Sequence, residues 1–291
     1  MRIKFYYIIL TLFISTLCVN AQPFVDIISF NSQHFISNYS DSSKNKLYIQ
    51  DNFLSVFIPK KFKNENVFLF RINTEQLTVN RYDALQSKYQ FYSLSAPIGV
   101  QLFSKNKQWK YVGIVIPKIN SDFKDDLHND FQLGGIALVS KIFNPHLEIK
   151  AGLYYNKEFF GNFFLPLAGI DWKINERYRM YGTLPSNFRF EIKLSSKWSA
   201  GIGFRAFTRS FRLSQNYNNN FVRINENQLK LYAEGFIFKN VALTVDVYQS
   251  ISYRLMQKDN INTTLDVPSA LFAPYKNNIG FTVGLAYRIM K

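Results

Sequence analysis

The segment Asn187-Phe188-Arg189-Phe190-Glu191-Ile192-Lys193-Leu194 places Phe188, Phe190, Ile192 and Leu194 on one side of an extended chain and Arg189, Glu191 and Lys193 on the other. A period of two marks a β-strand with two distinct faces. The pattern returns in Leu147, Ile149, Ala151 and Leu153 against Glu148, Lys150 and Gly152, and in Val241, Leu243, Val245 and Val247 against Ala242, Thr244 and Asp246. It closes the chain, with Phe281, Val283, Leu285, Tyr287 and Ile289 opposing Thr282, Gly284, Ala286, Arg288 and Met290. No stretch beyond the N-terminal region approaches ~18 consecutive apolar residues and no 3.6-residue period is sustained, which disfavours a helical membrane protein and a helical bundle.

Tight links are expected at Asn144-Pro145, Asn175-Glu176, Ser195-Ser196 and Lys239-Asn240, each built of residues that favour turns. Longer polar links run from Asn120 to Asp130, Gln215 to Asn220 and Gln257 to Asn277, so short and long alternate along most of the chain. Counting with that alternation predicts strands near 24–36, 46–60, 66–79, 89–104, 108–118, 131–143, 146–156, 165–174, 177–183, 187–195, 197–211, 221–238, 240–256 and 277–290. An even number, about 14, brings both ends of the sheet to one side, as in an antiparallel transmembrane β-barrel. Discounting the first strand and the short ninth leaves 12 as the alternative.

A soluble sandwich alternates identically, so other features must separate the two. Met1-Arg2-Ile3-Lys4, the apolar run Phe5 to Leu17 and Val19-Asn20-Ala21 read as a secretory signal peptide over 1–21, followed by a barrel over 22–291. At about 13 residues the apolar run is too short to span a bilayer. Leu17 before Cys18 argues against lipidation, and cleavage would leave no cysteine, hence no disulfide and no thiol chemistry. The formal charge of +15 falls by Arg2 and Lys4 to 15 − 2 = +13 on an exported chain, which makes nucleic acid an improbable partner. Strands longer than ten residues suit a tilted span. Aromatics crowd predicted strand ends at Tyr154-Tyr155, Phe159-Phe160, Phe163-Phe164, Trp172, Tyr178, Tyr181 and Trp198, where rings would sit at headgroup level.

The run Phe160-Gly161-Asn162-Phe163-Phe164-Leu165-Pro166-Leu167-Ala168-Gly169-Ile170-Asp171-Trp172-Lys173-Ile174-Asn175, with Leu184-Pro185 and Glu191-Ile192-Lys193-Leu194-Ser195, resembles an uncharacterised family of outer-membrane β-barrels from the Bacteroidetes. Asn20-Ala21-Gln22 and Gly284-Leu285-Ala286-Tyr287-Arg288 are similar to exported barrels of that group. The resemblance implies a fold and a place in a Gram-negative outer membrane, and no activity. It also implies outer-membrane lipid and the barrel assembly machinery as partners. Such barrels usually end in an aromatic residue, whereas the last one here is Tyr287, before Ile289-Met290-Lys291.

Catalytic motifs are absent: no Gly-x-Ser-x-Gly elbow, His-Glu-x-x-His pair, phosphate loop or cysteine cluster. His34, His128 and His146 are the only histidines, so a barrel enzyme acting on lipid or lipopolysaccharide has few candidates for a base. The run Asp122 to Asp130 carries four carboxylates in a predicted outer loop, read as solvated rather than as a cation site. Neither a metal nor another cofactor is expected. The predicted lumen-facing residues are Arg189, Glu191, Lys193, Arg205, Arg209, Lys230, Glu234 and Asp246, with Glu148, Lys150 and Arg288 on the same face. Burying such charges inside avoids roughly 2–4 kcal/mol per Lys or Arg on the lipid side. Two functions follow: a passive pore favouring small anionic solutes, or a scaffold whose interior is filled by an ionic ladder. A secreted β-sandwich that binds polysaccharide is the soluble alternative.

Overall fold

The computed structural model describes residues 24–38, 46–82, 87–218, 220–259, 272–273 and 278–290. The signal-peptide reading and most of the last long link lie outside them. The strands are β1 (Phe24–Asn38), β2 (Lys46–Lys61), β3 (Val67–Tyr82), β4 (Lys88–Ser95), β5 (Ile98–Phe103), β6 (Trp109–Ser121), β7 (Phe131–Asn144) and β8 (Leu147–Glu158). The series continues through β9 (Gly161–Lys173), β10 (Tyr178–Leu184), β11 (Asn187–Lys193), β12 (Trp198–Arg212), β13 (Phe221–Phe236), β14 (Val241–Lys258), β15 (Phe272–Ala273) and β16 (Asn278–Met290).

Apart from β4, β5 and β15, each strand pairs antiparallel with its chain neighbours; β4 and β5 both pair with β3 and β6, and β16 joins both β14 and β1, so the sheet closes on itself. A closed ring excludes the sandwich alternative. β4 and β5 are one stave interrupted at Ala96-Pro97, where the break is bridged by Arg71 N–H to Pro97 O at 2.9 Å and Ala96 N–H to Pro117 O at 3.0 Å. β15 is a two-residue rung on β14. The barrel therefore has 14 staves.

Local chemistry sets the short turns. Asn175 Oδ1 accepts the N–H groups of Arg177 and Tyr178, Ser195 Oγ those of Lys197 and Trp198, and Asn144 Oδ1 that of His146. Each side chain stands in for a main-chain turn acceptor. At the opposite end the β8–β9 and β10–β11 links are also only two residues, 159–160 and 185–186, so the alternation of short and long is broken there. Gly161, at φ +113°, lets β9 begin four residues earlier than the hydrophobic pattern suggests.

Toward the short-turn end, outward side chains are apolar: Leu229 and Leu231 on β13, Val245 and Val247 on β14, Ile28 and Phe30 on β1, Leu54 to Ile58 on β2. Leu231 is 64% exposed while inward-facing Gln228 is 0% exposed, a polarity that lipid around the wall satisfies and water would not. The staves β1–β4 and β12–β14 rise above the short β10–β11 hairpin, and there the pattern inverts. Ser32, His34, Tyr48, Gln50, Asn52, Thr74 and Gln76 now face outward, while Phe35, Leu47, Ile49, Leu77, Val79, Phe91, Phe211, Val222, Ile224, Tyr253 and Leu255 form a buried core within.

That core generates a test. Phe211→Ala opens a cavity at the centre and should cost about 3–5 kcal/mol. Ile202→Ala on the lipid side removes transfer energy alone and should cost about 1–2 kcal/mol. Guanidinium unfolding from lipid vesicles, followed by tryptophan fluorescence, should rank the two in that order.

Candidate functional site

Inward side chains toward the short-turn end form an ionic ladder. Arg288 holds Glu234 with two bonds of 2.9 and 3.2 Å and reaches Asp26 at 2.6 Å, while Arg189 adds a third contact to Glu234 at 3.2 Å. Lys150 meets Asp171 at 2.7 Å, Lys230 meets Asp246 at 3.3 Å, Lys110 pairs with Glu148, and Arg179 pairs with Glu191. Glu191 also accepts from Tyr181 Oη at 3.1 Å and Tyr232 Oη at 3.5 Å. Tyr232 reaches that far because Gly201 lies beneath it: a Cβ there would sit 2.9 Å from the ring. Higher up, Arg209 bridges Asp51 at 2.7 Å and Glu75.

Of the predicted lumen residues, the structure turns Arg189, Glu191, Arg205, Arg209, Lys230, Glu234 and Asp246 inward, and leaves Lys193 exposed at the short-turn rim. The sequence reading missed Asp26, Asp51, Glu75 and Asp171, the carboxylates that neutralise them from β1, β2, β3 and β9. Their signal was available as alternation, yet Asp51 stands between Ile49 and Phe53, and Glu75 between Asn73 and Leu77, on the inner face. Tyr154, Phe163 and Tyr181 also face inward, correcting their placement at headgroup level, whereas Tyr155, Phe164, Trp172, Tyr178 and Trp198 face outward.

Above the ladder the buried core spans from β1–β4 to β12–β14, and Asn120, Gln132 and Asn156 of β6, β7 and β8, with Ser210 of β12, are each 0–2% exposed. A water-filled axial passage would expose residues along its wall, and at this level these residues are sealed. Close packing of this kind excludes water as protein interiors do.

The acidic loop is exposed over 123–124 and 126–129, while Asp122 and Asp130 at its ends are buried. Arg212 pairs with Asp130 and, at 2.5 Å, with Asp125; Asp122 accepts from Ser214 N–H and Oγ; Asp126 caps a one-turn helix at 127–129. The carboxylates clamp the β6–β7 link to the β12–β13 link. Burial alone would raise the Asp125 carboxyl, but bonds from Gln215 N–H and Arg212 hold it below the ordinary carboxylate range. Among the described residues no group of three His, Cys, Asp or Glu side chains converges on a point that could hold a metal. The histidines are scattered. His34 lies on the outer wall between Ser32 Oγ at 2.8 Å and Tyr48 Oη at 2.7 Å, with no carboxylate to orient it, and His128 and His146 sit in separate exposed turns.

Comparison with known proteins places residues 72–288 in a family described as Domain of unknown function (DUF6268). No curated protein matches the chain. Among solved structures, an outer membrane channel from Pseudomonas putida F1 is similar over 93% of this chain and 98% of its own, at 10% identity and a TM-score of 0.46. The NanC porin is similar over 90% of this chain and 100% of its own, at 5% identity and a TM-score of 0.41. The translocator domain of the autotransporter NalP from Neisseria meningitidis covers 91% and 89%, at 11% identity and a TM-score of 0.40.

Two outcomes are expected. Glu234→Leu strands Arg288 and Arg189 in the interior and should lower stability by about 3–5 kcal/mol, read from the same guanidinium titration. Because the Asp125 carboxyl titrates below its unfolded value, its clamp is intact above about pH 4 and is lost as pH falls through the folded value. Hydrogen exchange of 122–130 should therefore accelerate below about pH 4 in wild type, and already at neutral pH in Asp125→Asn.

Proposed function

The chain belongs to the DUF6268 family, and from that premise we propose that it is a non-catalytic outer-membrane β-barrel of a Gram-negative bacterium, exported by the signal peptide at 1–21. The short turns then face the periplasm and the tall staves β1–β4 and β12–β14 project outward, following the usual disposition of short turns and long loops. The barrel acts as a closed scaffold rather than an open pore. The observation that carries this reading is the buried core across the outer half, from Phe35 and Phe91 to Phe211 and Tyr253, each 0–4% exposed.

The charge arrangement agrees. An anion-selective passage needs uncompensated cations facing water. Here Arg189, Arg209, Lys230 and Arg288 are each neutralised by a neighbouring carboxylate. An enzyme acting on lipid would need an oriented base beside a nucleophile. His34 beside Ser32 has Tyr48 where an orienting carboxylate would stand.

The detergent-solubilised protein should migrate differently in electrophoresis with and without heating, and should fractionate with the outer membrane. In a planar bilayer it should give no conductance steps, whereas combined removal of Phe91, Phe211 and Tyr253 side chains should produce them. Steady wild-type conductance with anion preference would overturn the closed interior; recovery in the soluble periplasm would overturn the membrane placement.

A further inference from the structure

The two ends of the barrel differ in charge. The short-turn links, residues 62–66, 104–108, 145–146, 174–177, 194–197 and 237–240, carry Lys63, Lys105, Lys107, Arg177, Lys197 and Lys239 against Glu65 and Glu176, an excess of 6 − 2 = +4. Exposed Lys60 and Lys141, on the strands that lead into these links, add to it. Both acids already hold a lysine, Glu65 that of Lys107 at 2.8 Å and Glu176 that of Lys173 at 2.5 Å. At the opposite end the link from Asp122 to Asp130 has four carboxylates and one lysine. The interior ladder sets carboxylates against its cations, whereas the rim carries a surplus of cations toward its surroundings.

The chain has three tryptophans, and all of them stand at this end with exposed, outward rings: Trp109 opens β6, Trp172 is next to last in β9 and Trp198 opens β12. Tryptophans at one level on an apolar wall mark the height where hydrocarbon meets headgroups. The lysines share that level. Along the outward face of β2, Leu54, Val56 and Ile58 are followed by Lys60; on β7 Val139 is followed by Lys141, and Lys197 directly precedes Trp198. The Lys141 ammonium lies 5.5 Å from the centre of the Trp109 ring and 4.9 Å from that of Phe143, a cation held within the aromatic belt itself.

Such a surface selects an amphiphile. A soluble polyanion would meet the turn tips and leave Ile58, Val139 and Phe143, all exposed beside them, uncovered. A zwitterionic lipid would cover these side chains but bring a cation of its own to the lysines. An anionic phospholipid supplies acyl chains against the wall and a net negative phosphate at the height of the ammonium groups. Lysine suits this task, since a compact charge on a flexible stem follows a mobile phosphate without a fixed geometry. Each basic side chain near an anionic membrane surface strengthens association about fivefold.

We propose that the short-turn rim is a collar for anionic phospholipid, in which the headgroup phosphates of the periplasmic leaflet seat against Lys60, Lys141, Arg177, Lys197 and Lys239 beside the tryptophan belt. The collar rests on the membrane placement proposed above. Because every tryptophan stands at this rim, tryptophan fluorescence reports on the lipid that touches it. The test reconstitutes heat-modifiable barrel into vesicles of mixed phosphatidylcholine and phosphatidylglycerol, with brominated, quenching acyl chains carried first by one lipid and then by the other. Quenching should give phosphatidylglycerol a relative binding constant at least about threefold that of phosphatidylcholine, and the preference should fall toward unity as salt shortens the screening length to about 3 Å near 1 M. Lys141→Gln, Lys197→Gln and Lys239→Gln combined should remove more than half of it while heat-modifiability persists. Lys46→Gln with Lys88→Gln, exposed lysines at the tall end, should keep the wild-type preference. Equal quenching by the two lipids, a preference insensitive to salt or to the triple substitution, or an equal loss in the tall-end pair would overturn the collar. Wild-type protein that fails to enter vesicles and shows no heat-modifiability would instead overturn the membrane reading beneath it.

Discussion

A strand immersed in lipid has no water to satisfy its main-chain N–H and C=O groups, so every stave must find its partner in the sheet. The pairing of β16 with β1, from Phe24 opposite Met290 to Phe35 opposite Gly280, meets that demand by closing the ring. The places where the ladder fails are patched by chemistry rather than by strands. At Ala96-Pro97 the main chain of neighbouring staves reaches across the break. At Ser210 a carboxylate and an amide act as substitute strand atoms, and Lys118 pairs with the Glu158 carboxylate at 3.0 Å. A carboxylate used as a main-chain acceptor is costly to desolvate unless such a partner is present.

The second constraint is that the solvent changes along each long stave. On β2, Leu54, Val56 and Ile58 face lipid while Ser55 and Asp51 face the interior; a few residues earlier Tyr48, Gln50 and Asn52 face outward while Leu47 and Ile49 are buried. One continuous strand therefore behaves as a membrane span at one end and as half of a water-soluble sandwich at the other. The interior changes in step, from ion pairs that need mutual compensation to an aliphatic and aromatic core that needs only close packing.

That inversion explains what could be read from residues alone. The fourteen staves and the tight turns at Asn144, Asn175, Ser195 and Lys239 follow from alternation and turn chemistry, because both are local. Alternation places Arg189 and Glu191 of β11 and Lys230, Glu234 and Asp246 of β13 and β14 on one face, and the structure turns that face inward, with Lys193 left at the rim. Asp51 and Glu75 were not assigned a face, and Tyr154, Phe163 and Tyr181 turn inward rather than to headgroup level, because polarity says which solvent a side chain meets and not which side of the wall it occupies. The clamp at the ends of the acidic run 122–130 was not legible, because its partners, Arg212 and Ser214, lie some 90 positions away and no local pattern announces them. β10 and β11 have only seven residues each, and only the pairing register shows that β9 meets β10 from Ala168 to Lys173 and no further.

Arg205 and Arg209 mark the level at which the ionic ladder gives way to the core. Toward the short turns Arg189, Lys230 and Arg288 each have a carboxylate within 4 Å, which offsets the cost of taking them out of water. One level up, both guanidinium groups lie 4.7 Å from the centre of the Phe207 ring. Asp51 and Glu75 pair with Arg209, and Glu226, which stands opposite Phe207 and is bonded to Ser250 and Gln228, adds a third carboxylate to the cluster. The two cations of β12 are thus met by carboxylates from β2, β3 and β13, and this cross-linking of four staves is what the aliphatic and aromatic core above is packed upon.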